Sequence, residues 1–339
     1  MYTKLICIGA LCTLLSTGAN AVTVNRGRTA VKINGYGTTG WFQEKFRDGK
    51  FVGDWRVRGQ LNYATARGQT LGAVYAIDQL ATSDGRAAAD AFIFYEWASL
   101  GRVEMGLTDS IARKLGVGLP DVGGLRINDQ SLIYKKIRPD GPVIADLTIT
   151  DGRGAPRINI ATMPRAGAQM GLSFSMLDPH YDFATDGAIK IRLPGGKLKT
   201  ALTVGASYIE SPDNMRVGTG SPRLTADWRA QASVGLNIQY NSWIIGLDTR
   251  VIYDRDAIGP ASDGVATGAG VSYDLLKYTV SATYLFSDTG IFHDGDKNTI
   301  NHTALMSLRY KYSKDLDGWI SLGLSTDTPF VAAGMRVTF

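Results

Sequence analysis

Apolar and polar side chains alternate along most of this chain, and the alternation is clearest between Trp228 and Tyr240. One face of this run carries only apolar side chains, and the other carries none. A period of two residues predicts a β-strand with one dry and one wet face. Its thirteen residues exceed the typical soluble strand of about 5–6 residues. They suit a tilted strand that crosses a bilayer, which needs roughly 9–11 residues.

The same pattern recurs along almost the whole chain and predicts eighteen strands. An even number of strands in an up-and-down arrangement places both termini on the same side, as outer-membrane barrels require. The predicted strands are 31–43, 54–66, 69–80, 90–99, 101–108, 131–138, 143–150, 156–163, 168–177, 187–193, 197–210, 226–240, 242–255, 264–275, 277–288, 299–313, 317–327 and 329–339.

The connections between these strands alternate in length. Asn241-Ser242 and Leu276-Lys277 are tight turns, whereas 211–225 and 289–298 are long, polar segments. Short periplasmic turns and long extracellular loops are typical of barrels in the bacterial outer membrane. The pattern therefore predicts an all-β fold, namely a transmembrane antiparallel up-and-down β-barrel.

A soluble β-sandwich is the alternative, because its strands also alternate. A sandwich buries its dry face against a second sheet, so its aromatic residues need not collect at strand ends. All six tryptophans of this chain fall within about three residues of a predicted strand end, where a membrane–water interface would lie. This distribution favours the barrel. The six are Trp41, Trp55, Trp97, Trp228, Trp243 and Trp319.

The N-terminus has the features of an export signal. Lys4 supplies a positive charge, Leu5–Thr17 is apolar, and Ala19–Ala21 fits the small-x-small cleavage rule. We therefore expect a signal peptide at 1–21 and a single barrel domain at 22–339. Both cysteines, Cys7 and Cys12, lie in the signal, which leaves the mature chain without a disulfide or a thiolate metal site.

Composition and charge narrow the partners. The chain is 44% hydrophobic and contains 40 glycines and 15 tyrosines, and its formal net charge is +5. The charges are interspersed, and no run of lysines and arginines resembles those of nucleic-acid binders. We expect a lipid bilayer and small solutes as partners, and no nucleic acid. The positive charge indicates either a solvated surface or a mildly cationic lumen.

One connection breaks the rhythm of the strands. Residues 108–130 form the third long connection and are far longer than the tight turns, and loops above about 12–15 residues are usually functional. The segment is rich in glycine and carries acidic and basic residues in equal number. These are Asp109, Arg113, Lys114, Asp121, Arg126 and Asp129.

At this segment the sequence resembles the general diffusion porins of Gram-negative outer membranes. Residues 91–106 resemble the strand, turn and strand that precede the constriction loop of that family, and Leu119–Gly124 resembles the tip of that loop. The C-terminal Phe339, with apolar residues at every second position before it, resembles the signal read by the outer-membrane assembly machinery.

This resemblance implies a channel in the bacterial outer membrane for passive diffusion of small hydrophilic solutes and ions. It implies sixteen strands rather than the eighteen counted, a third loop that folds into the barrel, no cofactor and no catalysis. It also implies a homotrimer, in which the loop Ala81–Ala89 is the candidate latch to a neighbouring subunit and the early strands form the interface. Acidic groups on the third loop would face basic wall residues, although this loop is not clearly acidic.

The wall side of such a constriction is predicted from the alternation itself. Arg56 and Arg58 share one face of a strand, and Glu96 points inward if Ile93 and Tyr95 point outward. An arginine costs little in a wet lumen and about 2–4 kcal/mol at the lipid midplane. Opposed fixed charges in a narrow aqueous channel bias ion selectivity, and the net charge indicates a weak preference for anions. The alternative is that these arginines only pair with neighbouring carboxylates.

Other classes of function have weaker support. A barrel enzyme would need a catalytic motif, but His180, His293 and His302 are near no Gly-x-Ser-x-Gly sequence and have no metal-ligand spacing. An adhesin or structural barrel would need bulky inward side chains to fill its lumen. Asp294 and Asp296 offer a weak possibility of a Ca²⁺ site in one loop, against the simpler interpretation of a solvated acidic loop.

Overall fold

The computed structural model describes residues 22–45, 48–78, 90–120, 155–175, 183–210, 226–256, 262–289, 300–325 and 328–339. Among them, no helix is both long and apolar enough to cross a membrane. The elements are β1 (Val22–Arg26), β2 (Thr29–Glu44), β3 (Lys50–Ala64), β4 (Gln69–Asp78), β5 (Asp90–Trp97), β6 (Gly101–Thr108), α1 (Ile111–Leu115), β7 (Ala155–Thr162), β8 (Ala168–Ser175), β9 (Phe183–Gly195), β10 (Leu198–Glu210), β11 (Ala226–Tyr240), β12 (Trp243–Asp256), β13 (Ser262–Leu275), β14 (Tyr278–Thr289), β15 (Ile300–Lys311), β16 (Leu316–Ser325) and β17 (Thr328–Thr338).

Sixteen of these strands, β2 to β17, form a closed antiparallel barrel. Each strand pairs with its neighbour along the chain, and β17 closes the ring by pairing with β2. Closure leaves no unpaired edge, so every strand has ladder partners on both sides. The all-β barrel predicted from the alternation is confirmed, with the strand number that the resemblance implies.

Two predicted strands, 131–138 and 143–150, and the signal peptide at 1–21 lie outside the described residues. Strand β6 pairs directly with β7 from Thr108↔Ala155 onward, so these two strands are neighbours in the ring. Residues 109–154 separate the two strands along the chain. The loop end predicted at residue 130 falls among residues that the structure does not describe, so it stays a prediction.

Strand β1 was missed, and it fills a gap beside β2. It pairs with the first part of β2, from Val22↔Ile33 to Arg26↔Thr29, while β17 pairs with the later part, Tyr36–Glu44. Phe339 lies between them and exchanges two hydrogen bonds with Gly35, at 2.7 and 2.9 Å. Strand β1 and the C-terminal strand β17 thus lie along successive parts of the same side of β2 and pair with its backbone groups there.

The two faces of the barrel differ as the alternation predicts. Apolar side chains on the outer face are exposed, such as Val234 at 49%, whereas the neighbouring Gln231 on the inner face is 5% exposed. The inner face of β13 to β16 carries many buried serines and threonines, and some of their hydroxyl groups pair across strands, as Ser307 does with Ser321. These include Ser272, Thr279, Ser281, Thr283, Thr303, Ser307, Ser321 and Ser325.

The barrel has two distinct ends. The short-turn end carries tight connections such as Gly196-Lys197, Asn241-Ser242 and Leu276-Lys277, and each of the three contains a residue with positive φ. At the other end, consecutive strands are separated by many more residues along the chain, namely 79–89, 109–154 and 211–225. This separation is the one that the sequence predicts, with the long connections on the side opposite the turns.

Two tryptophans do not lie where the sequence predicted. Trp55 is the sixth residue of β3, because this strand begins at Lys50 and not at residue 54. Trp319 is only 5% exposed, and its ring lies beside Gly40 and Gly334. Its side chain therefore fills space between strands on the inner face instead of reaching the membrane interface, which position along the strand alone does not reveal.

Candidate functional site in the barrel lumen

The segment that follows β6 turns into the barrel and forms the short helix α1. Ser110 is the N-cap, and its hydroxyl accepts a hydrogen bond from the backbone N–H of Arg113 at 3.2 Å. A side-chain oxygen at this position satisfies one of the N–H groups that a helix leaves free at its start. The backbone N–H of Ala112 donates to Oδ1 of Asp186 on β9 at 2.8 Å. The first turn of the helix is thus attached to β9.

Helix α1 also packs on the wall through its apolar face. Ile111, Ala112 and Leu115 are buried together with Ala188 of β9, and Ala161 of β7 packs against them. The hydroxyl of Thr203 on β10 donates to the carbonyl of Leu115 at 3.1 Å. A small inner side chain such as alanine at position 188 leaves the space that the helix occupies.

Beyond the helix, Gly116–Pro120 continues along the inner wall across β11 to β14. A Cβ built on Gly235 would lie 2.7 Å from the side chain of Val117, and one on Gly246 would lie 2.5 Å from Cδ of Pro120. Inner glycines therefore let the segment lie close to the wall. We call residues 109–120 the lumen segment. Its position confirms that the third long connection folds inward, as far as the structure describes it.

Replacing Gly246 by alanine tests this close fit. The new Cβ would lie 2.5 Å from Cδ of Pro120 and 3.4 Å from Cα of Leu119, so the lumen segment must move towards the barrel axis. Overpacking of this kind costs about 1–3 kcal/mol. A crystal structure of Gly246→Ala should show Pro120 displaced from β12. The control is Gly37→Ala, whose Cβ meets nothing within 4 Å, and an unmoved Pro120 in the first variant would contradict the fit.

Glu104 on β6 is the centre of a polar cluster below the lumen segment. It forms ion pairs with Lys114 of α1 and with Nε of Arg102, the latter at 2.9 Å. It also accepts a hydrogen bond from Nδ2 of Asn159 at 3.0 Å. Asn159 donates in addition to the carbonyl of Asp109 at 2.9 Å. These contacts fix the start of the lumen segment to β6 and β7.

The wall of β3 to β6 carries a second set of charges. Arg56 forms an ion pair with Asp90. The buried Nε of Arg58 has no hydrogen-bond partner in the part of the chain that the structure describes, although Asp90 and Glu104 attract this guanidinium. Arg102 lies over the ring of Phe94 at 3.7 Å from its centroid, a favourable cation–π arrangement. Arg58 is thus the least compensated of these charges.

Six of the predicted pore residues lie in described parts of the lumen. Asp109 of the lumen segment pairs with Arg113 at 3.6 Å, and its charge also attracts Arg56 of the wall. Glu96 pairs with Arg102 at 3.4 Å. The remaining residues, Asp121, Arg126 and Asp129, and the calcium candidates Asp294 and Asp296, lie outside the described residues.

Sequence reasoning missed the carboxylates that hold this arrangement together. Asp90 has the same parity as Glu96 on β5, so the alternation places both on the inner face. Glu104 likewise shares a face with Arg102. An acidic side chain on that face is the sequence signal that could have identified it. The alternation could also have identified Asp186 as an inner residue, since it alternates with outward residues of β9. Among the described residues, no group of three His, Cys, Asp or Glu side chains could hold a metal ion.

Comparisons with known proteins support the fold. No protein-family model and no curated protein matches the sequence. Solved structures match over nearly the whole chain. A trimer form of OmpT, an outer membrane protein of Vibrio cholerae, has a TM-score of 0.67 at 11% identity and covers 92% of this chain and 99% of its own.

Two further solved structures agree. An anion-selective porin from Comamonas acidovorans has a TM-score of 0.64 at 13% identity, and it covers 92% of this chain and 100% of its own. OmpF of Salmonella typhi in complex with daunomycin has a TM-score of 0.67 at 11% identity, covering 94% and 100%. At these low identities the similarity concerns the fold alone. It confirms the porin-like fold that the resemblance in sequence implied.

Proposed function

We propose that this chain is a porin of the bacterial outer membrane, exported with removal of residues 1–21, which lets small hydrophilic solutes and ions diffuse passively through a water-filled lumen. The observation that carries the proposal is the lumen segment. It lies against β8 to β14 inside a closed ring whose inner face carries many charged and hydroxyl side chains, so it narrows the lumen from one side. A polar passage with a narrow zone is the arrangement that selects solutes by size and charge.

The inner surface favours a passage over a plugged or catalytic barrel. A plugged barrel needs bulky interlocking side chains, whereas many of the buried side chains on the inner face of β13 to β16 are small serines and threonines. The charged groups at the narrow zone are engaged with each other, as in the Glu104–Lys114 and Arg56–Asp90 pairs. They serve to position the lumen segment and to set the local field, and the proposal assigns no chemistry to them.

The outward apolar face supports the membrane location. A charged residue at the centre of this face would meet lipid, so Leu247→Arg is expected to lower the free energy of unfolding by about 2–4 kcal/mol. Leu247 is 49% exposed near the middle of β12. The measurement is urea-induced unfolding of the protein refolded into phospholipid vesicles. The control Leu247→Met should stay near the wild-type value, and equal effects of the two variants would argue against a lipid-facing position.

The proposal includes a homotrimer in which the outer faces of the early strands meet. Leu61, Leu71, Tyr75 and Ile93 of β3 to β5 are between 47% and 57% exposed in the single chain. Aliphatic and aromatic side chains at this density suit either lipid or a second copy of the chain. The latch Ala81–Ala89 falls in a part of the chain that the structure does not describe and remains part of this proposal, as does reading of Phe339 by the assembly machinery.

A liposome swelling assay tests the proposed diffusion. Liposomes that contain the refolded protein should swell in isotonic solutions of neutral sugars, and the rate should fall as sugar size increases, because a water-filled lumen discriminates by size. Liposomes prepared with the same protein left unfolded serve as the control. Equal swelling in the two preparations would contradict passive diffusion through the barrel. We also expect a weak preference for anions, in keeping with the positive net charge.

A further inference from the structure

A cleft at the short-turn end of the lumen contains three basic side chains. It has a volume of about 660 Å³ and lies beneath Gly116–Gly118 of the lumen segment. Lys190 and Arg192 of β9 and Lys199 of β10 line it, together with the amides of Asn237 and Gln239 on β11. None of the three basic residues was singled out as a pore residue by the sequence, and none of the five belongs to the charged cluster around Glu104.

The basic charges of this cleft are not neutralised by the protein within the described residues. No acidic side chain lines the cleft, and in this part of the chain none of the three cations forms an ion pair. Lys190 instead faces the like charge of Arg192. The nearest acid along the inner face of β9, Asp186, already binds Arg157 and the N–H of Ala112.

The strand register brings the three cations to one patch. Arg192 pairs with Ala201 and therefore lies diagonally across from Lys199, two residues away on β10. Lys199 in turn lies directly opposite Gln239. Diagonal neighbours on one face of a sheet are about 7–8 Å apart, within reach of long side chains. Such a span suits one small ligand held between several donors.

The donor set indicates the ligand class. The planar guanidinium of Arg192 can bind two oxygens of one phosphate or carboxylate group, and the two ammonium groups add point charges. The amides of Asn237 and Gln239 can donate to further oxygens. A concave surface lined by one sign of charge also raises the local concentration of the opposite ion. Small solutes with two negative charges fit this set best.

We propose that the cleft formed by Lys190, Arg192 and Lys199 is a binding site for small phosphate- or carboxylate-bearing dianions at the short-turn mouth of the lumen. The site goes beyond the proposed diffusion function, because it retains one class of solute at the exit below the lumen segment. Equilibrium binding at this cleft does not require that the barrel conduct.

The test is equilibrium binding of inorganic phosphate to the refolded full chain in detergent. Binding is measured by the broadening of the ³¹P resonance of phosphate, in 0.1 M NaCl to screen non-specific attraction. Wild-type protein should bind phosphate saturably. The variant Lys190→Gln/Arg192→Gln/Lys199→Gln should bind at least about tenfold more weakly, because each lost contact is a hydrogen bond to a charged group. Far-UV circular dichroism checks that the variant folds.

A matched control removes the same charge from the same end of the barrel. Lys277, Lys311 and Lys314 are exposed at the short turns and lie outside the cleft, so their replacement by glutamine should leave phosphate binding unchanged. Absence of saturable binding to the wild type, or equal losses in the two triple variants, would overturn the proposal. Saturable binding by a protein that does not conduct would instead remove the diffusion function and leave the site standing.

Discussion

The variant Asp186→Ala is expected to release the lumen segment from the wall and to raise the single-channel conductance of the protein. Asp186 accepts the N–H of Ala112 and pairs with Arg157 at 3.3 Å. The side chains of this ion pair are only 1% and 2% exposed. Removing one partner of a buried pair leaves an uncompensated charge and costs about 3–5 kcal/mol, so the free energy of unfolding should fall by a similar amount.

The matched variant Asp186→Asn separates the two roles of this carboxylate. Asparagine keeps an oxygen that can accept from the N–H of Ala112, but it removes the charge that Arg157 faces. We therefore expect a loss of stability with little change of conductance. Planar-bilayer recordings and urea unfolding measure the two effects. Wild-type conductance in Asp186→Ala, in a protein that is folded and inserted, would show that this contact does not hold the lumen segment.

The variant Arg58→Glu is expected to shift the reversal potential under a salt gradient towards cation selectivity. Among Arg56, Arg58 and Arg102 on the wall of β3 to β6, only Arg58 forms no ion pair with the residues that the structure describes, so its reversal changes the field in the lumen directly. Arg56→Glu should shift the potential in the same direction, because it too replaces a positive by a negative charge on the inner face of β3. Agreement of the two single variants in sign tests the pore-lining role.

Arg26 and Arg28 provide the control for this experiment. Both lie exposed at the hairpin between β1 and β2, and Arg26→Glu/Arg28→Glu changes the total charge by twice as much as Arg58→Glu. If position in the lumen matters, the control shifts the reversal potential less than the single lumen variant. A larger shift in the control would mean that overall charge, and not Arg58, sets the ion preference.

The strands and their faces could be predicted because each depends on local alternation. Arg229 and Gln231 are buried on the inner face while Val234 is exposed on the outer face, as a period of two residues requires. The inward direction of Arg56 and Arg58 followed from the same rule. The separation of short turns from long connections depends only on spacing along the chain, and it too was available from the sequence.

The position of the lumen segment on the barrel wall could not be predicted, because its contacts join residues that are distant in sequence. Ala112 and Asp186 are 74 residues apart, and no local pattern relates them. Helix α1 has five residues, too few for a periodic signal, so its cap and its packing on Ala188 emerge only when the barrel is closed. In the sequence, Gly235 and Gly246 are ordinary small residues of the inner face. Their role becomes clear only in the structure, where Val117 and Pro120 pack against them.

Strand β1 and the side-chain position of Trp319 were missed for related reasons. Five residues of β1 are too short to stand out by alternation, and their partner is the first half of β2, which already pairs with β3 on its other side. Trp319 has the position of a membrane-interface residue but the parity of an inner residue. The face of a strand residue is set by its odd or even position, which the backbone enforces. This rule is the stronger guide when it disagrees with the distance from the strand end.

The most direct test of the account is single-channel recording of the refolded wild-type protein in a planar lipid bilayer. A water-filled barrel narrowed by the lumen segment should give discrete and reproducible conductance steps that increase with salt concentration, with larger steps in Asp186→Ala. Insertion of folded protein without discrete steps, with Arg58→Glu and Asp186→Ala equally silent, would contradict the proposed channel.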